Sequence, residues 1–318
     1  MKKLLLILSV MIISLIIAGK VLDKKYKNYW WPFFNKLDVL IKDSAYYDGI
    51  YLGNSRTHFG INPYYVDSVA SLKTYNMGMG GATINEINFI ARSYLQKHAA
   101  PKFAVISIGY GGIIETGRYF ENPCYYLFYT QDSFTNHTLE RLHYHTTLYK
   151  ILPVLKYTSF DDFNKFSIVE NFKGKTILKP GGIVYNGFIN NSMNVFNVQA
   201  LEKTIEKDIA FQPGIDILEA TIRLFKDKNT IPILVYPPGS NSEKKLKVPV
   251  EMKIDSAIEL LSSKYHIPLL HYDTESAFTN TYFMDASHLN MQGTIIYSKK
   301  IGFEIFSILH DTSFNKLR

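Results

Sequence analysis

The sequence predicts an α/β fold, a three-layer α/β/α sandwich with a parallel sheet, preceded by one N-terminal transmembrane helix. Short apolar runs alternate with amphipathic segments of helical length, and this alternation is typical of parallel strands joined by right-handed crossovers. An uncharged run from Leu4 to Gly19 precedes the alternating part. With 47% hydrophobic and 20% charged residues over 318 positions, the composition is globular and excludes a fully disordered chain.

The N-terminus has the pattern of a signal anchor. Two lysines precede the uncharged run, which spans about 24 Å at ~1.5 Å per residue, slightly less than a hydrocarbon core of about 30 Å. The run lengthens to residues 4–22 if Lys20 extends its ammonium group to the headgroups. Neither a credible cleavage site nor a cysteine for lipidation follows it. We predict an uncleaved anchor over residues 1–22 and a juxtamembrane segment over 23–46, with a cleaved signal peptide as the alternative.

The lysines around the anchor conflict with its signal-like character. Two precede the uncharged run and four follow it within residues 20–27, which by itself favours a cytoplasmic location for the domain that follows. A signal-like N-terminus usually starts export, so we expect the catalytic domain outside the cytoplasm, tethered to the membrane. The aromatic-rich segment at residues 29–34, Tyr-Trp-Trp-Pro-Phe-Phe, is expected at the headgroup interface.

The remaining elements follow from runs, caps and periodicity. Predicted strands cover 49–53, 74–77, 102–108, 231–236 and 267–271; predicted helices cover 63–70, 83–95, 215–228, 251–265 and 291–309. Asn62 and Pro63 are a typical N-cap and first-turn pair, and Thr83 with Glu86 fits a capping box. The continuous apolar run at 102–108 is typical of a strand buried on both faces.

Residues 47–312 are predicted to form the main domain, interrupted by an insertion at about 115–210. The insertion is rich in Tyr, Phe, Asn and His and breaks the strand–helix rhythm. Because it follows the third strand, it is expected over the carboxyl edge of the sheet. There it forms either an active-site lid or a packing appendage.

Charge and metal-ligand patterns exclude several functions. Lys and Arg number 35 against 28 Asp and Glu, and the resulting +7 is dispersed without a basic stripe, so nucleic acid is not an expected partner. The single cysteine, Cys124, rules out an internal disulfide and a cysteine-based zinc cluster. His143 and His145 would share one face of a strand, but neither a carboxylate nor a cysteine accompanies them on that face. We therefore predict no metal site and no cofactor.

A serine, an aspartate and a histidine stand where nucleophilic catalysis needs them. Ser55 follows the first strand and a glycine, near the start of a helix, where backbone N–H groups face an anion. Asp285 and His288 follow the last strand, three residues apart on one turn. The carboxylate can hold one imidazole nitrogen while the other reaches the serine. Each piece alone is common in loops and caps, and the combination at two strand ends is more specific.

The motifs resemble those of the SGNH (GDSL-like) hydrolase superfamily. Its first block, Gly-Asp-Ser, is similar to Gly53-Asn54-Ser55; its second block is similar to Asn76-Met77-Gly78-Met79-Gly80-Gly81-Ala82-Thr83; its last block, Asp-x-x-His, matches Asp285 and His288. The third block departs from the family, because Gly111 stands where the family has an asparagine. The resemblance covers residues 48–114 and about 230–310.

The resemblance implies acyl transfer through a serine ester. His288 takes the proton of Ser55, Asp285 orients the ring, and the backbone N–H groups of Ser55 and Gly81 hold the oxyanion. Without the third-block asparagine, the resemblance implies a slow enzyme unless Asn85 or a partner protein supplies a donor, since one donor is worth about 10²-fold in rate. Arg56 is expected either to bind an anionic part of the substrate or to be solvated or salt-bridged.

Two function classes follow. The first is a membrane-anchored esterase or O-acyltransferase that acts on acyl groups of cell-envelope polysaccharide. Anchored relatives of the superfamily have a similar layout and work beside membrane-bound O-acyltransferases, which makes such an enzyme an expected partner. The alternative is a catalytically weak binding or scaffold subunit of a polysaccharide-modifying membrane complex. An intact Ser55, Asp285 and His288 favour the first class, whereas Gly111 favours the second.

Overall fold

The computed structural model describes residues 1–114, 117–159, 169–170, 172–174, 184–189, 211–240 and 249–311. Parts of the predicted insertion at about 115–210 therefore lie outside the described residues. The chain divides into two compact units, which are described separately. Unit 1 comprises Met1–Lys42 and Asn122–Lys179, and unit 2 comprises Asp43–Glu121 and Pro180–Arg318.

Within the described residues, the elements follow one another in chain order. The strands are β1 Gly49–Leu52, β2 Thr74–Asn76, β3 Phe103–Ser107, β4 Val184–Tyr185, β5 Phe188–Ile189, β6 Ile231–Tyr236 and β7 Leu269–His271. The α-helices are α1 Lys2–Tyr29, α2 Trp31–Lys42, α3 Ser55–Gly60, α4 Pro63–Ala70, α5 Ile84–Lys97, α6 Tyr110–Ile113, α7 Pro123–Tyr126, α8 Ser133–Arg141, α9 Thr146–Ile151, α10 Lys156–Ser159, α11 Gln212–Lys226, α12 Pro249–Tyr265 and α13 Met291–His310. Short 3₁₀ turns cover Leu127–Tyr129, Pro153–Leu155 and Asn280–Tyr282.

Unit 2 is built on a parallel five-stranded sheet in the order β2-β1-β3-β6-β7. The register pairs Tyr51 with Asn76 on one side and with Val105 on the other. The chain leaves β1 for β2 on one side and returns to β3 on the other, so the strand order reverses beside β1. In open α/β sheets, the carboxyl edge at such a reversal is where ligands bind. The predicted α/β class with a parallel sheet is confirmed.

Alternating side chains of the strands supply the two faces of the core. Tyr51, Val105 and Ile233 are fully buried on one face, and they pack in one cluster with residues of α4 and α13, among them Val66 and Tyr297. Helices α5 and α11 pack on β1 and β6 and on each other. Helices therefore cover the sheet, which holds the strand ends in place.

Most predicted elements are present with small shifts in their ends. Helix α4 and strand β6 have the predicted bounds, and Asn62 and Thr83 cap their helices through side-chain oxygens. The last strand begins at Leu269 rather than at 267. His266 has a left-handed φ of 51°, and the N–H of Ile267 still donates to Ser262 at the end of α12, so the chain closes the helix before it enters the sheet.

A β4–β5 hairpin lies along the outer edge of β2. Asn76 N donates to Asn186 O at 2.8 Å, and Asn186 Nδ2 donates to Thr74 O at 3.2 Å. The hairpin therefore satisfies backbone groups that an edge strand would otherwise expose.

Unit 1 contains the N-terminal helix, which continues well past residue 22. Among the described residues, α1 alone is long and apolar enough to cross a membrane, and the apolar window within it is almost entirely exposed. Its last turns pack inside unit 1, where the Tyr26 ring stacks on Phe128 with centroids 5.7 Å apart. Phe34 of α2 is only 2% exposed and packs edge-on against the same two rings. The prediction that residues 29–34 all face the headgroups is therefore wrong for Phe34, since it belongs to the core of unit 1.

The predicted strand around His143 and His145 is also not present. His143 has a left-handed φ of 62° and lies in a turn after α8, and His145 is the residue before α9. Two histidines on a turn do not share a strand face, so the geometric reason for considering a metal there is removed.

Candidate active site

The nucleophile loop leaves β1 through a tightly packed glycine. A Cβ on Gly53 would clash with Thr57 Oγ1 and lie 3.1 Å from Ser107 Cβ, so a larger residue cannot make this turn. Asn54 then caps α3, since its Oδ1 accepts a hydrogen bond from Arg56 N at 3.1 Å. Ser55 is the first residue of the helix, and its backbone N–H has no acceptor among the described residues, as is usual for a first turn.

Backbone hydrogen bonds join the residues before and after the Asp-x-x-His turn. Phe283 and Leu289 form an antiparallel bridge, and Met284 N donates to His288 O at 2.9 Å. Asp285 Oδ1 accepts backbone hydrogen bonds from Ser287 at 2.9 Å and His288 at 2.8 Å. The carboxylate is therefore fixed by the same loop that carries the imidazole.

Ser55, His288 and Asp285 form one hydrogen-bonded chain. His288 Nε2 lies 2.7 Å from Ser55 Oγ, and His288 Nδ1 lies 2.8 and 2.9 Å from the two oxygens of Asp285. A carboxylate only accepts hydrogen bonds, so Nδ1 carries the proton and Nε2 is free to accept the proton of the serine. Phe59 packs edge-on against the imidazole with ring centroids 5.8 Å apart, which restricts its rotation.

The electrostatics of the turn keep Asp285 ionised. Partial burial raises the pKa of this carboxyl, but the hydrogen bond and charge of His288 and the two backbone N–H groups outweigh it and lower the pKa to about 2. An ionised Asp285 stabilises the imidazolium that forms when His288 takes a proton. The arrangement can therefore activate Ser55 Oγ for attack on an acyl carbon.

The second block forms a loop that docks on the nucleophile turn. Met79 N donates to Gly53 O at 3.0 Å, and His58 Nδ1 lies 2.9 Å from Gly78 O. Gly81 has a left-handed φ of 74°, and a Cβ there would lie 2.7 Å from Glu121 Cγ. A glycine is therefore favoured where the resemblance places an oxyanion donor, although the donor role itself stays a prediction.

Asn76 holds this loop, a role that sequence reasoning missed. It is fully buried; its Nδ2 donates to Thr57 O at 2.7 Å and Ile61 O at 2.6 Å, while its Oδ1 accepts from Gly78 N at 2.9 Å. A buried amide at a strand end, just before a glycine-rich loop, is the signal that would have found it.

The third block lies beside the side chain of Asn54. β3 ends at Ser107, and the chain turns at Gly109 into the short helix α6, which contains Gly111. Asn54 Nδ2 would lie 3.4 Å from a Cβ on Gly109 and 3.7 Å from one on Gly112. Among the described residues, Nδ2 donates to no acceptor. An amide from the first block therefore lies beside Gly109 and Gly112, which stand on either side of position 111 in the sequence.

Arg56 and Asn85 are near neighbours of these elements in sequence, with different surroundings. Arg56 is partly buried in the first turn of α3, with Cδ 3.9 Å from a Cβ placed on Gly109. Asn85 is the second residue of α5 and is partly buried; its side chain has no hydrogen-bond partner among the described residues. Substrate binding by Arg56 and oxyanion donation by Asn85 stay predictions.

The capping box of α5 is only half formed. Thr83 Oγ1 accepts from Glu86 N at 3.2 Å as predicted. The Glu86 carboxylate instead accepts from Glu121 N at 3.0 Å, and Thr83 Oγ1 donates to Tyr119 O at 2.6 Å. Both capping side chains thus fix the segment 119–121, which lies against Gly81.

Comparison with known proteins gives likenesses of structure only. No family model matches the chain, and no curated protein matches it by sequence. A protein described as an acylhydrolase from Bacteroides fragilis is similar over 81% of this chain and 87% of its own, with 11% identity and a TM-score of 0.41. A lipase/acylhydrolase from Enterococcus faecalis is similar over 81% of this chain and 95% of its own, with 13% identity and a TM-score of 0.41. A GDSL-like lipase from Bacteroides thetaiotaomicron is similar over 81% of this chain and 88% of its own, with 12% identity and a TM-score of 0.39.

The fold assignment depends on features of the chain itself. The sheet is parallel with the order β2-β1-β3-β6-β7, and the three sequence blocks follow β1, β2 and β7 as the resemblance implies. Ser55 and His288 meet from opposite ends of the sequence of unit 2. The chain has a parallel α/β fold, and it places the three blocks that resemble those of SGNH-like hydrolases at the ends of the strands where that resemblance expects them.

Proposed function

We propose that the chain is a serine esterase or O-acyltransferase of the SGNH type. The observation that supports this most is the hydrogen-bonded chain from Ser55 Oγ through His288 to an ionised Asp285. In the proposed reaction, Ser55 Oγ attacks the acyl carbon while its proton moves to His288 Nε2, and the imidazolium then protonates the leaving alcohol. Water or a second alcohol attacks the acyl-enzyme in the same way, giving hydrolysis or transfer.

The donors for the oxyanion are assigned on the same proposal. The backbone N–H groups of Ser55 and Gly81 supply two. Asn54 Nδ2 supplies the side-chain donor, because it lies beside Gly109 and Gly112 and has no other acceptor among the described residues. Asn85 is the alternative from α5.

The substrate and location are proposed from the layout of the chain. Helix α1 tethers the protein to the membrane, with unit 2 outside the cytoplasm and acyl groups of cell-envelope polysaccharide as substrate. A membrane-bound O-acyltransferase is the proposed partner. These assignments are supported by the exposed apolar helix and by the resemblance to anchored envelope enzymes.

Labelling of the serine tests the proposal. The purified full-length chain is treated with a fluorophosphonate probe, and we expect covalent labelling that Ser55→Ala abolishes. Ser68→Ala, at an exposed serine on α4, is the matched control and should leave labelling unchanged. Labelling that survives Ser55→Ala contradicts the assignment of the nucleophile.

The second candidate is a scaffold subunit, which Gly111 in the third block favours. It predicts no ester turnover above that of Ser55→Ala, together with full complementation of a deletion strain by Ser55→Ala. The enzyme predicts slow, serine-dependent hydrolysis of a chromogenic acetyl ester and no complementation by that variant.

A further inference from the structure

We propose that unit 1 places an apolar collar into the interfacial layer of the membrane that holds α1. The collar consists of four exposed side chains, Leu148 and Ile151 on α9 and Val169 and Phe172, with exposed fractions of 47, 65, 51 and 56%. The proposed occupant of this surface is the phospholipid interface itself. The inference rests on the proposed membrane anchoring by α1 and goes beyond the proposed chemistry.

The length of the apolar run indicates which part of α1 lies near the second membrane boundary. Leu4 to Gly19 spans about 24 Å, whereas the hydrocarbon core is about 30 Å thick and each interfacial layer adds about 5–7 Å. If Leu4 lies at one boundary, a straight helix reaches the other boundary about four residues after Gly19, and the interfacial layer extends about four residues further. Whatever contacts α1 between Gly19 and Lys25 therefore lies within about 6 Å of the membrane boundary, from the outer end of the hydrocarbon core into the interfacial layer.

The second segment of unit 1, Asn122–Lys179, contacts α1 between Gly19 and Lys25. Gly19 is buried, and a Cβ on it would lie 2.6 Å from Val154 N and 2.8 Å from Pro153 Cβ. α9 ends at Ile151, directly before this contact, and its Leu148 and Ile151 are three residues apart and share one helix face. Lys25 Nζ lies 5.0 Å from the centre of the Phe172 ring, which brings the second half of the collar to the same interval.

Charges near the collar suit an interface of anionic lipid. Asp23, in the same interval, is paired with Lys156 at 2.7 Å and accepts from Tyr157 Oη at 2.7 Å, so its carboxylate is neutralised. Lys20 and Lys24 are exposed and can extend to the headgroups. Apolar side chains beside lysines at helix ends are the composition of an interfacial segment.

Depth measurement in a bilayer tests the inference. The full-length chain is reconstituted into phosphatidylcholine–phosphatidylglycerol vesicles with an environment-sensitive fluorophore on Ile151→Cys or, separately, Leu148→Cys. Both sites are exposed, so folding is not at risk. Cys124 is 1% exposed, and labelled wild-type protein measures its background. Ile12→Cys on α1 and Leu260→Cys, 69% exposed on α12, are the reference sites.

We expect the labels at 148 and 151 to emit at shorter wavelength than the label at 260. They should be quenched more strongly by lipids with a nitroxide near the headgroup than by lipids with one at the chain end. If the label at 12 is quenched and those at 148 and 151 are not, α1 spans the membrane and the collar is overturned. If none is quenched, the proposed anchoring fails as well. A shift to shorter wavelength without lipid quenching shows a protein partner or a second copy on the collar, and overturns the lipid assignment.

Discussion

The two sides of the candidate active site differ in how far they follow the family pattern. On the acid–base side, Ser55, His288 and Asp285 are all present and joined by hydrogen bonds of 2.7 to 2.9 Å. On the proposed oxyanion side, Gly111 stands where the family has an asparagine, and Asn54 Nδ2 lies beside Gly109 and Gly112. Proton transfer needs specific side chains in one geometry, whereas an oxyanion accepts any N–H donor in the right place. The departure from the family pattern in this chain thus falls on the side of the site where the chemistry accepts a substitute donor.

The largest effect is expected on the acid–base side. Asp285→Asn should lower kcat for a chromogenic acetyl ester by about 10⁴-fold, because an amide can donate to Nδ1 and stabilise the wrong imidazole tautomer. The backbone N–H groups of Ser287 and His288 can still donate to the amide oxygen, so the turn should remain folded. Steady-state kinetics measures the effect, and a loss below about tenfold would remove Asp285 from the mechanism.

On the oxyanion side, Asn54→Asp should lower kcat by about 10²-fold, because it removes one N–H donor and places a negative charge beside a developing oxyanion. An aspartate still caps α3 through Arg56 N, so the helix should keep its start. Thermal unfolding of the variant serves as the control. Unchanged kcat with unchanged stability would assign Asn54 to capping alone.

Gly111→Asn should raise kcat by up to about 10²-fold, since it adds the side-chain amide that the third block lacks. Combined with Asn54→Asp, it should restore much of the lost rate, because the donor then comes from the position used by the family. A fall in rate for Gly111→Asn in both backgrounds would show that the added side chain does not fit beside Asn54.

The part of the molecule that the sequence predicts is local. Asn62 and Thr83 cap the helices they precede as predicted, and the apolar runs form the strands of the sheet. Contacts between segments that are distant in the sequence can be found only once the fold is known. Asn76 joins α3 to the loop of the second sequence block, because its side chain donates to carbonyl groups 15 and 19 residues away. The Glu86 carboxylate accepts a hydrogen bond from Glu121 N, which is 35 residues away.

The same limit explains the oxyanion side. Within the first block alone, Asn54 is a conservative replacement for the aspartate of the family. Its proximity to Gly109 and Gly112 follows from β1 and β3 being neighbours in the sheet, which no local pattern encodes. The substitutions at 54 and 111 therefore become related only once the strand order is known.

The smallest expected effect is the pH dependence of stability, which separates Asp285 from a carboxyl outside the site. Asp285 has a folded-state pKa of about 2, below the usual value of about 3.9 for an unfolded chain. Its contribution to stability is therefore present above about pH 4 and is lost as the pH falls toward 2. Asp67 on α4 has the opposite shift, since burial raises its pKa to about 6 despite hydrogen bonds from Thr74.

The contribution of Asp67 to stability changes with pH in the opposite direction, because the folded state prefers the protonated form of this carboxyl. Its contribution is present below about pH 4 and is lost as the pH rises through 6.

The difference in thermal midpoint between wild type and each variant, measured on the purified chain in detergent, should show both pH dependences. For Asp285→Asn the wild-type advantage should shrink from pH 5 toward pH 2. For Asp67→Asn it should shrink between pH 4 and 7. An Asp285→Asn difference that is constant down to pH 2 would show that His288 and the turn do not hold the carboxylate, and would weaken the acid–base side of the site.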